Sequence, residues 1–390
     1  MNRGTIGVAR ILGVELRLHP SWFFVFALVV IWLFTVEVPA VAPRVSAGGG
    51  LVLALVVALL FFGSVVVHEL AHALVARRLG LPVNEITLFI FGGAAKLEQE
   101  SPNARTEAIV AGVGPLSSIG VAAVFFAVWA IVGRTENEAL QVVGGAAFEL
   151  ARINILLAAF NLVPGFPMDG GRLLRAVIWG VSQDFLRATR IATLIGRGFA
   201  YLLIALGFII AIRIDVVSGI WLAFIGWVLN QAAETSYRRI AVEKLIEGIR
   251  VGDVMDRDVP LVHPNLTLDT LVEQHFLTGR ATLYPVVLDG VLVGTVDLGQ
   301  VSRVPAPDRP VTRVTDVMTR LGEVATLLPS QPLWEAVTRF EEGGSAAIPV
   351  VDAENARQLV GVLTRDGVLR AIRARAQLGG ERIRGVGEAA

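Results

Sequence analysis

The sequence predicts a polytopic α-helical membrane protein, with six transmembrane helices and a membrane-associated β-hairpin, followed by a soluble α/β unit made of two copies of one motif. Three observations lead there. Long apolar runs occur at 21–38, 50–76, 108–132, 142–164, 191–212 and 216–233. Only 17% of the 390 residues are charged and mean hydropathy is +0.65, with residues 1–235 forming the apolar part. After residue 248 the composition turns soluble and a repeat appears: Gly252-Asp-Val-Met-Asp-Arg257 returns as Thr315-Asp-Val-Met-Thr-Arg320, and Tyr284-Pro-Val-Val287 returns as Ile348-Pro-Val-Val351. Two such echoes in one order read as a duplicated unit.

The elements follow in order. Arg3, Arg10 and Arg17 precede the first apolar run, which lacks a small-residue cleavage site and is expected to stay in place as an anchor. Each run is long enough, or nearly so, for a hydrocarbon core about 30 Å thick. With the N-terminus in the cytoplasm, most flanking arginines fall inside and only Arg44, Arg134 and Arg213 outside, which also puts the C-terminus in the cytoplasm. Between spans two and three, Val83 to Leu97 holds two short β-prone runs broken by Gly92-Gly93, a hairpin whose free edge can pair with an extended peptide. An interfacial loop is the plainer alternative. The expected domains are a membrane unit at 1–235, a linker at 236–248, the duplicated unit at 249–373 and a flexible tail at 374–390.

Composition narrows the function. With 34 basic and 34 acidic residues there is no net field to favour nucleic acid, which is disfavoured as a partner. Without cysteine there is no disulfide, thiolate metal site or cysteine nucleophile, so histidine and carboxylates are the available ligands.

The chemistry gathers at His68-Glu69-Leu70-Ala71-His72, which arrives after an apolar stretch, Leu51 to Val67, with no ionisable side chain. Ionisable groups at membrane depth are rare and point to function. On a helix His68 and His72 share a face and can reach one metal ion, while Glu69 stands beside them as a proton acceptor. Two histidines are one ligand short of a catalytic zinc site. Arg78 stands where an extended zincin motif would place a third histidine; Glu85, Glu98 and Glu100 are conceivable donors. Asp169 is the better candidate. It ends Asn161-Leu-Val-Pro-Gly-Phe-Pro-Met-Asp169, where Pro164 and Pro167 force extended backbone, and antiparallel packing of spans two and four would bring it beside both histidines.

These two segments together resemble the site-2 protease family of intramembrane zinc metalloproteases, marked by a His-Glu-x-x-His helix and an Asn-x-x-Pro-x-x-Pro-x-Asp-Gly segment. The resemblance covers residues 1–235, including the Ala111-Gly-Val-Gly-Pro115 start of span three. It implies one Zn2+ per chain on His68, His72 and Asp169, Glu69 as general base, and Asn161 as a polar group near the reacting carbonyl. The implied activity is hydrolysis of peptide bonds within or near transmembrane segments of membrane proteins in the cell membrane. A transmembrane substrate must unwind locally, and the hairpin edge can hold the unwound strand.

The duplicated unit resembles a tandem cystathionine-β-synthase (CBS) domain pair, a known accessory in that family. Such pairs dimerise face to face or bind ATP, ADP or AMP. Here Asp297 stands where a ribose-contacting threonine is expected and Gln300 replaces the acid; in the second copy Asp366 follows Thr364 by two residues instead of three. Thr364 and Asp366 are the candidate nucleotide residues, and homodimerisation is the equal alternative. Two further readings of the whole chain are a CBS-regulated cation transporter and a non-catalytic membrane adaptor; the polar residues gather at one depth, against the first, and all four chemical residues are present, against the second. Arg152 in span four is expected to pair with Glu149, and His19, His263 and His275 to be surface or packing histidines.

Overall fold

The computed structural model describes residues 5–89, 92–97, 101–133, 135–279, 281–343 and 345–378. The chain divides into two compact units, Met1–Arg238 and Arg239–Ala390.

The first unit opens with a hairpin, β1 (Ile6–Ile11) and β2 (Val14–Leu18), turned at Leu12-Gly13, where both residues have positive φ. The first span starts at α1 (Pro20–Trp32), where His19 caps the helix and Pro20 fits its first turn. A π-helical turn, Leu33–Glu37, carries it into α2 (Val38–Val41). Then α3 (Ala47–Arg78) starts from the Ser46 cap and runs for 32 residues, about 48 Å at 1.5 Å per residue. It is longer than the hydrocarbon core, so His68, about 32 Å along it, lies near one end of the apolar slab.

The predicted hairpin is present as β3 (Val83–Phe89) and β4 (Gly92–Leu97), but Gly92-Gly93, expected to break the two runs, instead opens β4 and pairs with Phe89 and Leu88. It belongs to a larger sheet than expected, in the order β1-β2-β3-β4, because β2 pairs in parallel with β3 from Glu15↔Glu85 to Leu18↔Leu88. Val14, Leu18, Val83, Ile86 and Leu88 pack on Val65, Ala73 and Ala76 of α3, which seats the sheet beside the histidine motif. The strand-forming N-terminal segment was hidden in sequence by its short length and its arginines.

The remaining spans are α4 (Ala104–Val132), α5 (Glu138–Asn161), α7 (Phe185–Arg213) and α8 (Val216–Leu245), with the amphipathic α6 (Asp169–Ser182) between α5 and α7. Among the described residues six helices are long and apolar enough to cross a membrane. The α4 helix packs along α3, α5 and α6. Around the loop before Asp169, Gly165 in the loop, Gly171 in α6 and Gly196 in α7 sit so close to neighbouring backbone that a side chain at any of them would collide.

In the second unit, α9 (Val251–Val254), α10 (Leu268–Leu271), β5 (Leu283–Leu288), β6 (Val291–Asp297) and α11 (Leu298–Ser302) form the first copy. The second copy comprises α12 (Val314–Val317), β7 (Thr319–Arg320), α13 (Leu333–Gly343), β8 (Ala347–Val351), β9 (Leu359–Thr364) and α14 (Arg365–Leu378). The two exchange their opening segments. Val251 joins the core of Leu327, Leu333, Ile348, Val350 and Leu363, while Val314 joins that of Leu268, Tyr284, Val286 and Val296, and β7 pairs with β6. The repeated Asp-Val-Met turns are these exchanged segments.

Two expectations are corrected. The stretch expected to be a linker at 236–248 is helical to Leu245, and Val242, Leu245 and Ile246 pack into the second copy's core. The expected tail begins inside α14, which extends to Leu378; residues 379–390 lie outside those described.

Candidate metal centre

His68 and His72 are one turn apart on the buried face of α3, 4% and 6% exposed. Asp169 is the first residue of α6, its side chain 13% exposed. The three donor atoms converge: His68 Nε2 and His72 Nε2 are 3.2 Å apart, and Asp169 Oδ2 lies 3.2 Å from the first and 3.1 Å from the second. A tetrahedral zinc with bonds of about 2.0–2.1 Å separates its donors by about 3.3 Å. The observed triangle therefore matches that geometry closely.

The chemistry of the donors agrees. His72 Nδ1 donates to the carbonyl of Val110 at 2.6 Å, and a carbonyl can only accept, so the neutral imidazole presents a bare lone pair at Nε2. His68 Nδ1 meets Ser118 Oγ at 2.9 Å, which fixes its ring with Nε2 turned to the same point. Each histidine is thus oriented through its second nitrogen, as metal-bound histidines generally are. Two imidazole nitrogens and a carboxylate facing one point in a buried site are suited to a cation. Gly114 of α4 keeps that point open: a Cβ there would strike His72 Nε2 and come 2.7 Å from His68 Nε2.

Among the described residues the three-donor group consists of these three; Glu85 is outside it, and Glu98 and Glu100 lie outside those described. Glu69 is half-buried, in electrostatic reach of both histidines, Asp169 and Arg172. Strand β4 crosses it so closely that a side chain at Gly93 would collide with its carboxylate. Asn161, the last residue of α5, is half-buried, and among the described residues no hydrogen bond joins it to the cluster. The expected route, antiparallel packing of spans two and four, is corrected in two respects: α3 and α5 do pack but run parallel, Leu150 beside Val57 and Ala58 and Leu157 beside Val65 and Ala73, and the donors are held by a different span. It is α4, the third span, that lies against α3 and α6 and supplies Val110, Gly114 and Ser118. Ser118 carries no signal in the sequence, because a serine in an apolar helix commonly bonds its own backbone.

The other candidates have structural partners. Arg152 Nε donates to Glu149 Oε2 at 2.8 Å, its Nη2 bonds Glu149 Oε1, and Glu37 Oε1 lies 3.5 Å from Nη2. In the second unit Thr364 Oγ1 accepts from the backbone of Gly367 at 3.0 Å, opening α14, while Asp366 is exposed. Asp297 and Gln300 form a reciprocal capping box on α11, and Gln300 Nε2 also donates to Thr319 Oγ1 at 2.6 Å.

Comparison with known proteins points the same way. The model of peptidase family M50 matches residues 56–147 and 131–205, and that of the CBS domain matches 251–306 and 314–374. The chain is 34% identical over 375 residues to Rip3 of Mycobacterium tuberculosis, covering 95% of this chain and 93% of that protein. It is 32% identical to a protein of Synechocystis, covering 95% and 96%; both relatives are named provisionally as zinc metalloproteases. A zinc metalloprotease of Methanocaldococcus jannaschii is 26% identical over 368 residues, covering 94% of this chain and 96% of that one. Among solved structures, the site-2 protease from M. jannaschii is 27% identical and covers 60% of this chain and 95% of that one, with a TM-score of 0.42.

Proposed function

The chain belongs to peptidase family M50, the site-2 proteases, as a multi-pass membrane zinc metalloprotease carrying a CBS pair, and from that premise we propose how its residues divide the work. His68, His72 and Asp169 hold the zinc, one ion per chain. The observation that carries this assignment is the triangle of donor atoms 3.1–3.2 Å on a side.

Bound zinc supplies Lewis acidity, lowering the pKa of water towards about 7 and polarising a carbonyl. Glu69 accepts the proton of the attacking water and returns it to the leaving amine. Asn161 donates to the oxygen on which negative charge develops. The substrate is a transmembrane protein segment, unwound so that its backbone adds to the free edge of β4, where Gly93 lets the strand lie over Glu69. Both termini face the cytoplasm. The CBS pair regulates the protease, through adenine nucleotide at Thr364 and Asp366 or through homodimerisation.

The test is cleavage of a single-span protein by the detergent-purified chain beside Glu69→Gln, with zinc measured on both. The assignment expects equal zinc and a rate lower by about 10²–10⁴-fold in the variant, the usual range for a lost general base. Zinc binding with equal cleavage by both proteins would remove Glu69 from the role.

A further inference from the structure

Glu107 is 0% exposed, in the first turn of a helix that supplies no metal donor. Its Oε1 accepts from Arg172 Nε at 3.0 Å and from Arg175 Nη2 at 2.5 Å, and its Oε2 from Arg172 Nη2 at 3.5 Å. Both arginines lie in the first two turns of α6, which Asp169 begins. The Arg175 guanidinium also lies over Phe166, 5.1 Å from the ring centroid, and over Phe185 at 4.7 Å. Phe166 belongs to the loop that leads into Asp169. A carboxylate taken wholly out of water is costly unless paired, and a pair of arginines holds this one where the bond-breaking chemistry does not use it.

Its place on α4 explains it. Glu107, Val110, Gly114 and Ser118 stand at i, i+3, i+7 and i+11, one stripe of the helix. Val110 fixes His72, Ser118 fixes His68, and Gly114 leaves room for the ion between them. Asp169 alone has no direct support from that stripe. We infer that Glu107 is the positioning residue for Asp169: through the fork of Arg172 and the clamp of Arg175 on Phe166, it sets the first turn of α6 so that Oδ2 meets the two imidazoles. The third span is then a template for all three donors while contributing none. This inference rests on the metal assignment proposed above.

The plainer account is that Glu107 merely docks α6 on α4, and Leu173 separates the two. Its side chain approaches Gly112 in the same interface without entering the charged network. Zinc affinity, measured by chelator competition on the full-length purified protein, is the readout. Glu107→Gln is expected to weaken zinc by about 10–100-fold, the usual effect of losing an outer support of a metal ligand. Leu173→Ala is expected to stay near wild type. Arg172→Lys keeps the charge and loses the fork, so it should weaken zinc in the same direction, and it decides the matter if Glu107→Gln does not fold. Unchanged zinc affinity in the folded variant, or an equal loss in Leu173→Ala, overturns the inference. A wild type that holds no zinc overturns the metal assignment itself, and the inference with it.

Discussion

Polar side chains do opposite work in the two units. In Met1–Arg238 one set converges: His68 and His72 of α3 and Asp169 of α6 meet at one point, and Ser118 of α4 holds the His68 ring. In Arg239–Ala390 the motif positions are consumed by the fold, with Asp297 and Gln300 closing a capping box on α11 and Thr364 opening α14. The difference follows from the solvent. Water satisfies a surface threonine or aspartate at little cost, so local backbone bonds are the common use for it. Lipid offers no such partner, so an ionisable group inside a span points to a site. A motif therefore carries more functional weight in the first unit than in the second.

That contrast can be broken at its strongest point by Gly114→Ala. The added methyl occupies the space between the imidazoles, so zinc content should fall to near zero while the helix, which favours alanine over glycine by about 0.5–1 kcal/mol, remains folded. Metal analysis with circular dichroism on the same sample checks both. A smaller effect is expected from Ser118→Ala, which frees the His68 ring; zinc affinity should drop by about 10–100-fold, read by chelator competition. The smallest is expected in the soluble unit. Gln300→Ala removes half of a capping box and should lower that unit's stability by about 1 kcal/mol in denaturant titration, with cleavage unaltered. Asp366→Ala sharpens the same side. If the second copy takes nucleotide, calorimetry with AMP should show weaker binding in this variant and no change in Gln300→Ala.

Much of this was legible in the sequence. Long apolar runs gave the six spans because lipid imposes length and hydropathy on a helix. The spacing of His68 and His72 puts both on one helix face, and Asp169 is marked by the prolines that hold its loop. What escaped was set by tertiary contact. The hairpin of β1 and β2 finds its partner only at β3, more than sixty residues on in the numbering. The amphipathic α6 was overlooked because its polar face is turned to Glu107 and not to water. The reach of α8 into the CBS core was masked by a change of composition that resembled a linker.

The most direct test of the account is the zinc X-ray absorption spectrum of the purified protein, wild type beside Asp169→Ala. The account predicts a four-coordinate ion with two imidazole nitrogens and light oxygen donors at about 2.0–2.2 Å, and a loss of carboxylate character or of the metal itself in the variant. A first shell without two imidazoles, or a spectrum unchanged by Asp169→Ala, would contradict it.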